Sequence, residues 1–457
     1  MVAVKRGLYH YQKKNIKFFN LTIISRRLLT MVDNFYYSKG KLFCDGMSIE
    51  EISMKFGTPL FIYSEKFILN RIAEIKKVQK KFPVSVCYAV KANSSLEIIR
   101  TMANQGLGFD VVSEGEMRRV LFGGQRKNKI VFSGVGKTEE EIIFALKNDI
   151  FSLNVESLSE LNRIEKISSK MKTIAPISIR INPDVDPETH PYISTGLREN
   201  KFGLSIGEGL AAFKKAKEMR SVKIIGIDCH IGSQILSIDP FKQAAEKVLD
   251  AVEKLKNDFG IQLSHINLGG GLGISYTPNE NAIKIETFLN EILCFLSLEF
   301  ASRKIKPPEI LFELGRSLVG NSGILVTKVL YLKRKFEGSG KNFAIVDAGM
   351  NDLMRPSLYN SYHDIMPMIE ESRKGNSECW EIVGPICESG DWLAKERNIN
   401  LREDNLICFA SAGAYCSSMA SNYNSRRKPS EVIVMRDGRV REIVTRETFD
   451  NMLIREI

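Results

Sequence analysis

The sequence predicts an α/β protein in which a (β/α)8 (TIM) barrel is followed by a mostly antiparallel, β-rich domain of barrel or sandwich type. Three observations carry that expectation. Between residues 84 and 315, short apolar runs alternate with amphipathic stretches of helical period, the rhythm of parallel strands joined by crossover helices. The number of such runs is eight, the number that closes a barrel. Beyond residue 315 the long helical patterns stop, and short alternating runs punctuated by Gly and Asp replace them, as in hairpin-connected strands. An open doubly wound sheet is the competing arrangement for the first part.

The barrel strands are read at Val84–Val90, Gly108–Val112, Ile130–Ser133, Phe151–Val155, Ile177–Ile181, Val222–Cys229, His265–Leu268 and Ile310–Leu314. Helical period covers Glu139–Leu146, Leu158–Ile167, Phe241–Leu255 and Ile283–Leu296. Thr138, with Glu141 three residues on, forms a helix-starting capping box. Gly134-Val-Gly-Lys-Thr138 is therefore not a P-loop, and the earlier glycine such a loop needs falls on Val131. In the second domain the strands are read at Ile324–Leu332, Phe343–Val346, Trp380–Val383, Leu406–Phe409 and Glu431–Val434, and Phe35–Cys44 reads as a strand or hairpin packing with them. The expected organisation is a basic extension over 1–30, an opening strand segment over 31–60, the barrel over 61–315 and the β domain over 316–457.

Bulk properties bound the function. A chain of 457 residues is long enough for two substantial cores, and no apolar run approaches the roughly 20 residues that span a bilayer, so no membrane is expected. Eight cysteines with no CxxC pair indicate reduced thiols and a cytoplasmic enzyme. The five histidines show no metal spacing, so no metal is expected. The net charge of +11 invites a nucleic-acid reading, but residues 1–30 hold seven Lys/Arg and no acid, and removing them leaves +4 over 427 residues. That extension is read as a disordered tail or a segment absent from the mature protein, with a targeting role as the alternative.

Chemistry gathers at strand ends. Lys91 closes the apolar run Val84–Val90, and a buried amine needs either a partner or a chemistry that uses it, such as a Schiff base. Asn267-Leu-Gly-Gly-Gly-Leu-Gly273 follows the seventh strand, where a glycine run lets backbone amides approach a phosphate; a turn without a ligand is the other reading. His230-Ile-Gly-Ser-Gln234 follows the sixth strand, its imidazole being either a hydrogen-bonded core residue or a ligand. Glu313-Leu-Gly-Arg316 ends the eighth, as an ordinary salt bridge or a functional pair. Arg355-Pro-Ser-Leu-Tyr359 reads as a turn. Cys387 and Glu388 sit in a Gly/Pro-bounded loop, Gly384–Asp391, where a thiol beside charged groups can act as an acid. Gly413-Ala-Tyr415-Cys416 reads as a loop leading into a short helix.

Taken in this order, Tyr88-Ala-Val-Lys-Ala-Asn93, Gly108-Phe-Asp-Val-Val-Ser113, Asn182–Asp186 through His190–Gly196, His230–Gln234 and Cys387-Glu-Ser resemble the diaminopimelate decarboxylase family. That family lies within the alanine-racemase-like (fold-type III) group of pyridoxal 5'-phosphate (PLP) enzymes. The resemblance runs from about residue 33 to the C-terminus. It implies a PLP-carrying barrel, a β domain, and a homodimer whose active sites are shared between subunits. It implies that Lys91 holds PLP covalently, that His230 stacks on its ring, and that Ser233, Gly270 and Gly271 bind its phosphate, with Gly315, Arg316 and Tyr415 also at the cofactor. Glu313 would face the pyridine nitrogen. Arg316, Arg355, Tyr359, Glu388 and Tyr415 would contact the substrate, and Cys387 would be the catalytic acid. The implied reaction converts meso-2,6-diaminopimelate to L-lysine and CO2. Where this family usually has proline between Glu and Gly, Leu314 stands here. A related ornithine or arginine decarboxylase is the nearest rival; its substrates lack the distal carboxylate that two arginines would meet. An alanine-racemase-like isomerase would not need Cys387-Glu388. A catalytically inactive homologue would lose Lys91 or Cys387, and both are present.

Overall fold

The computed structural model describes residues 34–124, 129–186, 201–277, 279–336, 340–373 and 377–456. The expected basic extension and the His190–Gly196 segment lie outside the described residues.

Eight parallel strands close the barrel: β1 Val84–Ala89, β2 Gly108–Val111, β3 Ile130–Phe132, β4 Ser152–Val155, β5 Ala175–Asn182, β6 Val222–Asp228, β7 His265–Asn267 and β8 Glu309–Leu314. Each pairs with the next, and β8 pairs back onto β1 in the register Glu313 to Cys87 and Leu314 to Tyr88. That last pairing excludes an open doubly wound sheet. Strand positions agree with the sequence reading to within two residues. Runs of Val, Ile and Phe are buried on both faces, one against the lumen and one against the helix ring. Low in the barrel the lumen is filled by polar side chains that bond to one another. Ser178 Oγ lies 2.9 Å from His265 Nε2 and 2.8 Å from Ser152 Oγ. The His265 ring fits because Gly226 has no side chain; a Cβ there would lie 2.2 Å from the ring.

The helices follow from local signals. Thr138 caps Glu139–Lys147 with the expected capping box, and Ser64, Ser113, Ser157 and Ser205 cap others by accepting a backbone N–H. Asp239–Phe259 ends on Gly260 in the left-handed conformation.

The second domain is built on Gly323–Lys333, which pairs antiparallel with Phe343–Val346, Leu406–Phe409 and Leu60–Ser64. Two pairings are parallel, Phe343–Val346 with Glu378–Val383 and Leu60–Ser64 with Ser430–Val434; the rest of its ladders are antiparallel. The strand Leu60–Ser64 thus belongs to this sheet although it precedes the barrel in the chain. Phe35–Ser38 and Lys41–Cys44 form the expected hairpin. Phe35 and Leu42 pack with Ile62, Ile324, Val326, Cys408 and Val432 in one apolar cluster. The segment Arg355–Tyr359, read as a turn, is a short helix. Pro356 is compatible with it because a helix's first turn has no N–H bonds to lose.

Candidate active site

The two domains meet over the C-terminal ends of the barrel strands, where barrel enzymes place their chemistry. The loop after Leu406–Phe409 reaches across: Tyr415 N–H donates to Ala92 O at 2.7 Å, and Gly413 O accepts from Asn93 Nδ2 at 3.1 Å. Tyr415 is held at φ +57°, a conformation uncommon for a non-glycine residue and concentrated at functional sites.

Beneath that loop lies a cavity of about 180 Å³. Ten residues singled out in the sequence line it: Lys91, His230, Ser233, Gly271, Glu313, Gly315, Arg316, Arg355, Tyr359 and Tyr415. Gly270 does not line it, but its N–H donates to His230 Nδ1 at 3.1 Å. Cys387 and Glu388 are exposed and outside the cavity of their own chain. Cys387 N–H donates to Asn424 Oδ1, and Glu388 accepts from the Tyr423 hydroxyl.

Lys91 follows β1, and its Nζ lies 2.6 Å from Asp110 Oδ2 at the end of β2. The structure gives this buried amine a charged partner. Burial, the largest influence, favours the neutral amine, but the carboxylate of Asp110 outweighs it and raises the pKa. Asp110 was visible in the sequence as an acid inside an apolar strand; its pairing with an amine 19 residues earlier was not.

Around this pair the barrel mouth holds more acid than base. Glu156, Asp228 and Glu313 join Asp110, against Lys91 and Arg180; Arg180 Nη1 donates to Glu156 Oε1 at 2.9 Å, and its Nε is 3.8 Å from Asp228 Oδ2. Buried carboxylates crowded this closely are costly to keep ionised together. Burial and the neighbouring carboxylates of Asp110 and Asp228 push Glu313 well above the usual carboxylate range. Burial raises Asp228 to about 7 despite Arg180. One oxygen of Glu313, Oε1, accepts from Asn267 Nδ2 at 2.6 Å, leaving the other for the cavity. His230 is neutral: burial first, then the charges of Arg180 and Lys91, lower its pKa well below the ordinary value. Because Nδ1 accepts from Gly270, the ring proton sits on Nε2.

Two glycines are required by close approach. A Cβ at Gly270 would lie 1.9 Å from Glu313 O, and one at Gly271, where φ is +111°, would lie 2.4 Å from Gly232 O. These contacts press the glycine run onto both β8 and the His230–Gln234 loop. Arg316 and Arg355 are both buried. Arg316 Nη2 donates to Ser233 Oγ at 2.9 Å and its guanidinium stacks 4.8 Å from the Tyr415 ring. It pairs with these groups instead of forming the ordinary salt bridge to Glu313. Arg355 lies 5.4 Å over Tyr359. The Nε atoms of both arginines are buried without a hydrogen-bond partner among the described residues. Ala89, Leu272 and Met419 complete the lining; as small or apolar residues they gave no signal in the sequence.

The donor set fits a group with an aldehyde, a basic ring nitrogen and a phosphate. It offers an amine, a proton-bearing carboxyl, a flat neutral imidazole, and a glycine run beside a serine. Fold and site together define a pyridoxal-dependent decarboxylase of the barrel type, and residues 68–320 match the family model described as "Pyridoxal-dependent decarboxylase, pyridoxal binding domain". The chain is 44% identical over 400 residues to the diaminopimelate decarboxylase of Haemophilus influenzae, covering 88% of this chain and 94% of that protein. The crystal structure of diaminopimelate decarboxylase from Helicobacter pylori complexed with L-lysine superposes with a TM-score of 0.82 at 41% identity, over 89% of this chain and 98% of that one. The M. jannaschii structure in complex with L-lysine gives 0.86 at 38% identity, over 93% and 99%. The chain belongs to the diaminopimelate decarboxylase family, and its cofactor is pyridoxal phosphate.

Proposed function

We propose that this chain decarboxylates meso-2,6-diaminopimelate to L-lysine and CO2, the last step of lysine synthesis. The observation that carries the substrate is the pair of buried guanidiniums, Arg316 and Arg355, lining the cavity that also holds Lys91. A buried guanidinium calls for a carboxylate. Diaminopimelate keeps one at its far end after the other is lost, whereas ornithine and arginine have none there.

When bound, PLP supplies an electron sink for the pair of electrons released as CO2 departs. The chain's residues do the rest. Lys91 would hold the cofactor through its ε-amine, and Asp110 Oδ2 stabilises the ammonium whenever Lys91 is free. Glu313 would share its proton with the ring nitrogen, since only its Oε1 is engaged, by Asn267. His230 would present a flat uncharged face to the ring, since a charged imidazolium there would oppose a protonated pyridine. The Gly271 amide and Ser233 Oγ would cradle the phosphate, with Gly315 leaving room beside it, while the Gly270 N–H is taken by His230 Nδ1. Arg316, Arg355, Tyr359 and Tyr415 hold the distal end of the substrate.

Cys387 returns a proton to the carbon that lost CO2, and Glu388 contacts a substrate amino group. Both are exposed and outside their own chain's cavity, so in this reading they serve a neighbouring subunit, and the working unit is a homodimer with shared sites. Among the described residues no helix is long and apolar enough to cross a membrane, and all eight cysteines are free thiols; both support a cytoplasmic enzyme. Incubating the purified protein with meso-diaminopimelate and PLP tests the reading. Stoichiometric L-lysine and CO2 are expected from the wild type and none from Lys91→Ala. Equal CO2 release from ornithine or arginine would overturn the substrate assignment.

A further inference from the structure

Behind the cavity wall lies a tyrosine that the proposed chemistry does not use. Tyr276 is buried, does not line the cavity, and follows the glycine run by three residues. Its hydroxyl oxygen accepts from Arg316 Nη1 at 2.6 Å, while Nη2 of the same guanidinium is held by Ser233 Oγ at 2.9 Å. Its ring also lies 5.8 Å from the Arg355 guanidinium and 6.0 Å from that of Arg316. Edge-on at 5.3 Å stands His363, which is fully buried and tied by Nδ1 to Ala410 O at 2.8 Å. The tyrosine backbone is fixed too, its N–H donating to Glu280 Oε2 at 2.6 Å.

We propose that Tyr276 is a positioning residue that orients the Arg316 and Arg355 guanidiniums toward the distal carboxylate of the ligand. The proposal rests on the reading that these arginines grip that carboxylate. A guanidinium is a planar fork whose value in binding a carboxylate depends on where its plane points. Arg316 has two terminal nitrogens committed, one to Tyr276 and one to Ser233, which fixes its plane and aims the remaining donors. The Tyr276 side chain lies within 6.0 Å of both guanidiniums and meets Arg316 through its hydroxyl, so one residue touches the surroundings of both arginines. Anchored by His363 from the β domain and by Glu280 from the barrel loop, the ring makes recognition depend on the docking of the two domains.

The test compares two ligands that differ in the distal carboxylate alone. L-Lysine carries it, and cadaverine, its decarboxylated counterpart, does not. Inhibition constants for both are measured on wild-type holoenzyme, Tyr276→Phe and Tyr276→Leu, with KM and kcat for meso-diaminopimelate. Phenylalanine keeps the ring and removes only the acceptor. Loss of a hydrogen bond to a charged group predicts roughly tenfold weaker L-lysine inhibition and a similar rise in KM. Cadaverine inhibition and kcat should stay within about twofold. The leucine variant, which also loses the ring, should lose more of the lysine-to-cadaverine preference. A preference unchanged in both variants, or equal weakening of both ligands, overturns the positioning role. Wild-type enzyme that does not distinguish the two ligands would instead overturn the underlying assignment of the arginines.

Discussion

Replacing Asp110 by asparagine probes the electrostatics of the site most directly. Lys91 Nζ and Asp110 Oδ2 are 2.6 Å apart. At an effective dielectric constant of about 20, unit charges at that distance attract by about 6 kcal/mol. The Lys91 side chain is 36% exposed toward the cavity, so solvent screens much of that attraction, and about 2 kcal/mol is a reasonable discounted figure. It corresponds to about 1.5 pH units. The sign is set by opposing influences. Burial, the largest, favours the neutral amine; Asp110 favours the ammonium and prevails, so the pKa lies above the ordinary lysine value. A raised folded-state pKa stabilises the fold fully below the unfolded lysine's pKa, and the contribution fades as pH rises through the folded value. Asparagine keeps the side-chain shape and removes the charge. The amine should therefore become nucleophilic at lower pH, and the apoenzyme should be less stable at neutral pH. Apoenzyme is mixed with PLP at a series of pH values, and covalent capture is followed by absorbance and by mass after borohydride trapping. The capture profile of Asp110→Asn is expected about 1–2 pH units below that of the wild type. An unchanged profile in a folded variant would refute the assignment of Asp110 as the charge that holds Lys91.

Three further outcomes are expected. Glu313→Gln retains a partner for Asn267 but cannot share a carboxyl proton; kcat should fall about 100-fold while the cofactor stays attached, read by steady-state kinetics and the chromophore. Gly270→Ala would put a Cβ 1.9 Å from the Glu313 carbonyl, so the main chain must move at a cost of about 1–3 kcal/mol; lower thermal stability and weaker PLP retention should follow, and neither appearing would show that the loop is slack. If sites are shared between subunits, Lys91→Ala and Cys387→Ala should each be inactive, yet their re-associated mixture should regain up to about a quarter of wild-type turnover, since half of random dimers then carry one intact site. No recovery in demonstrably mixed dimers would place Cys387 elsewhere in the mechanism.

What could be read from the sequence divides along a physical line. Alternating apolar runs such as Val84–Val90 and Ile310–Leu314 are local consequences of strand and helix periodicity, so the eight barrel strands and the capping box at Thr138 could be placed without coordinates. Lys91, His230, Glu313 and Arg316 all sit at or just beyond the ends of barrel strands, where barrel chemistry collects. Closure of the barrel by pairing β8 with β1 was left open, because pairing between distant segments depends on packing across the whole ring. The parallel partnership of Leu60–Ser64 with Ser430–Val434 was hidden for the same reason. Only the folded chain brought Asp110 to Lys91, Asn267 to Glu313, and Tyr276 and His363 behind the two arginines. Hydrogen bonds and charge pairs act over a few ångströms of space, and residue spacing along the chain does not encode which side chains from separate strands will share those ångströms.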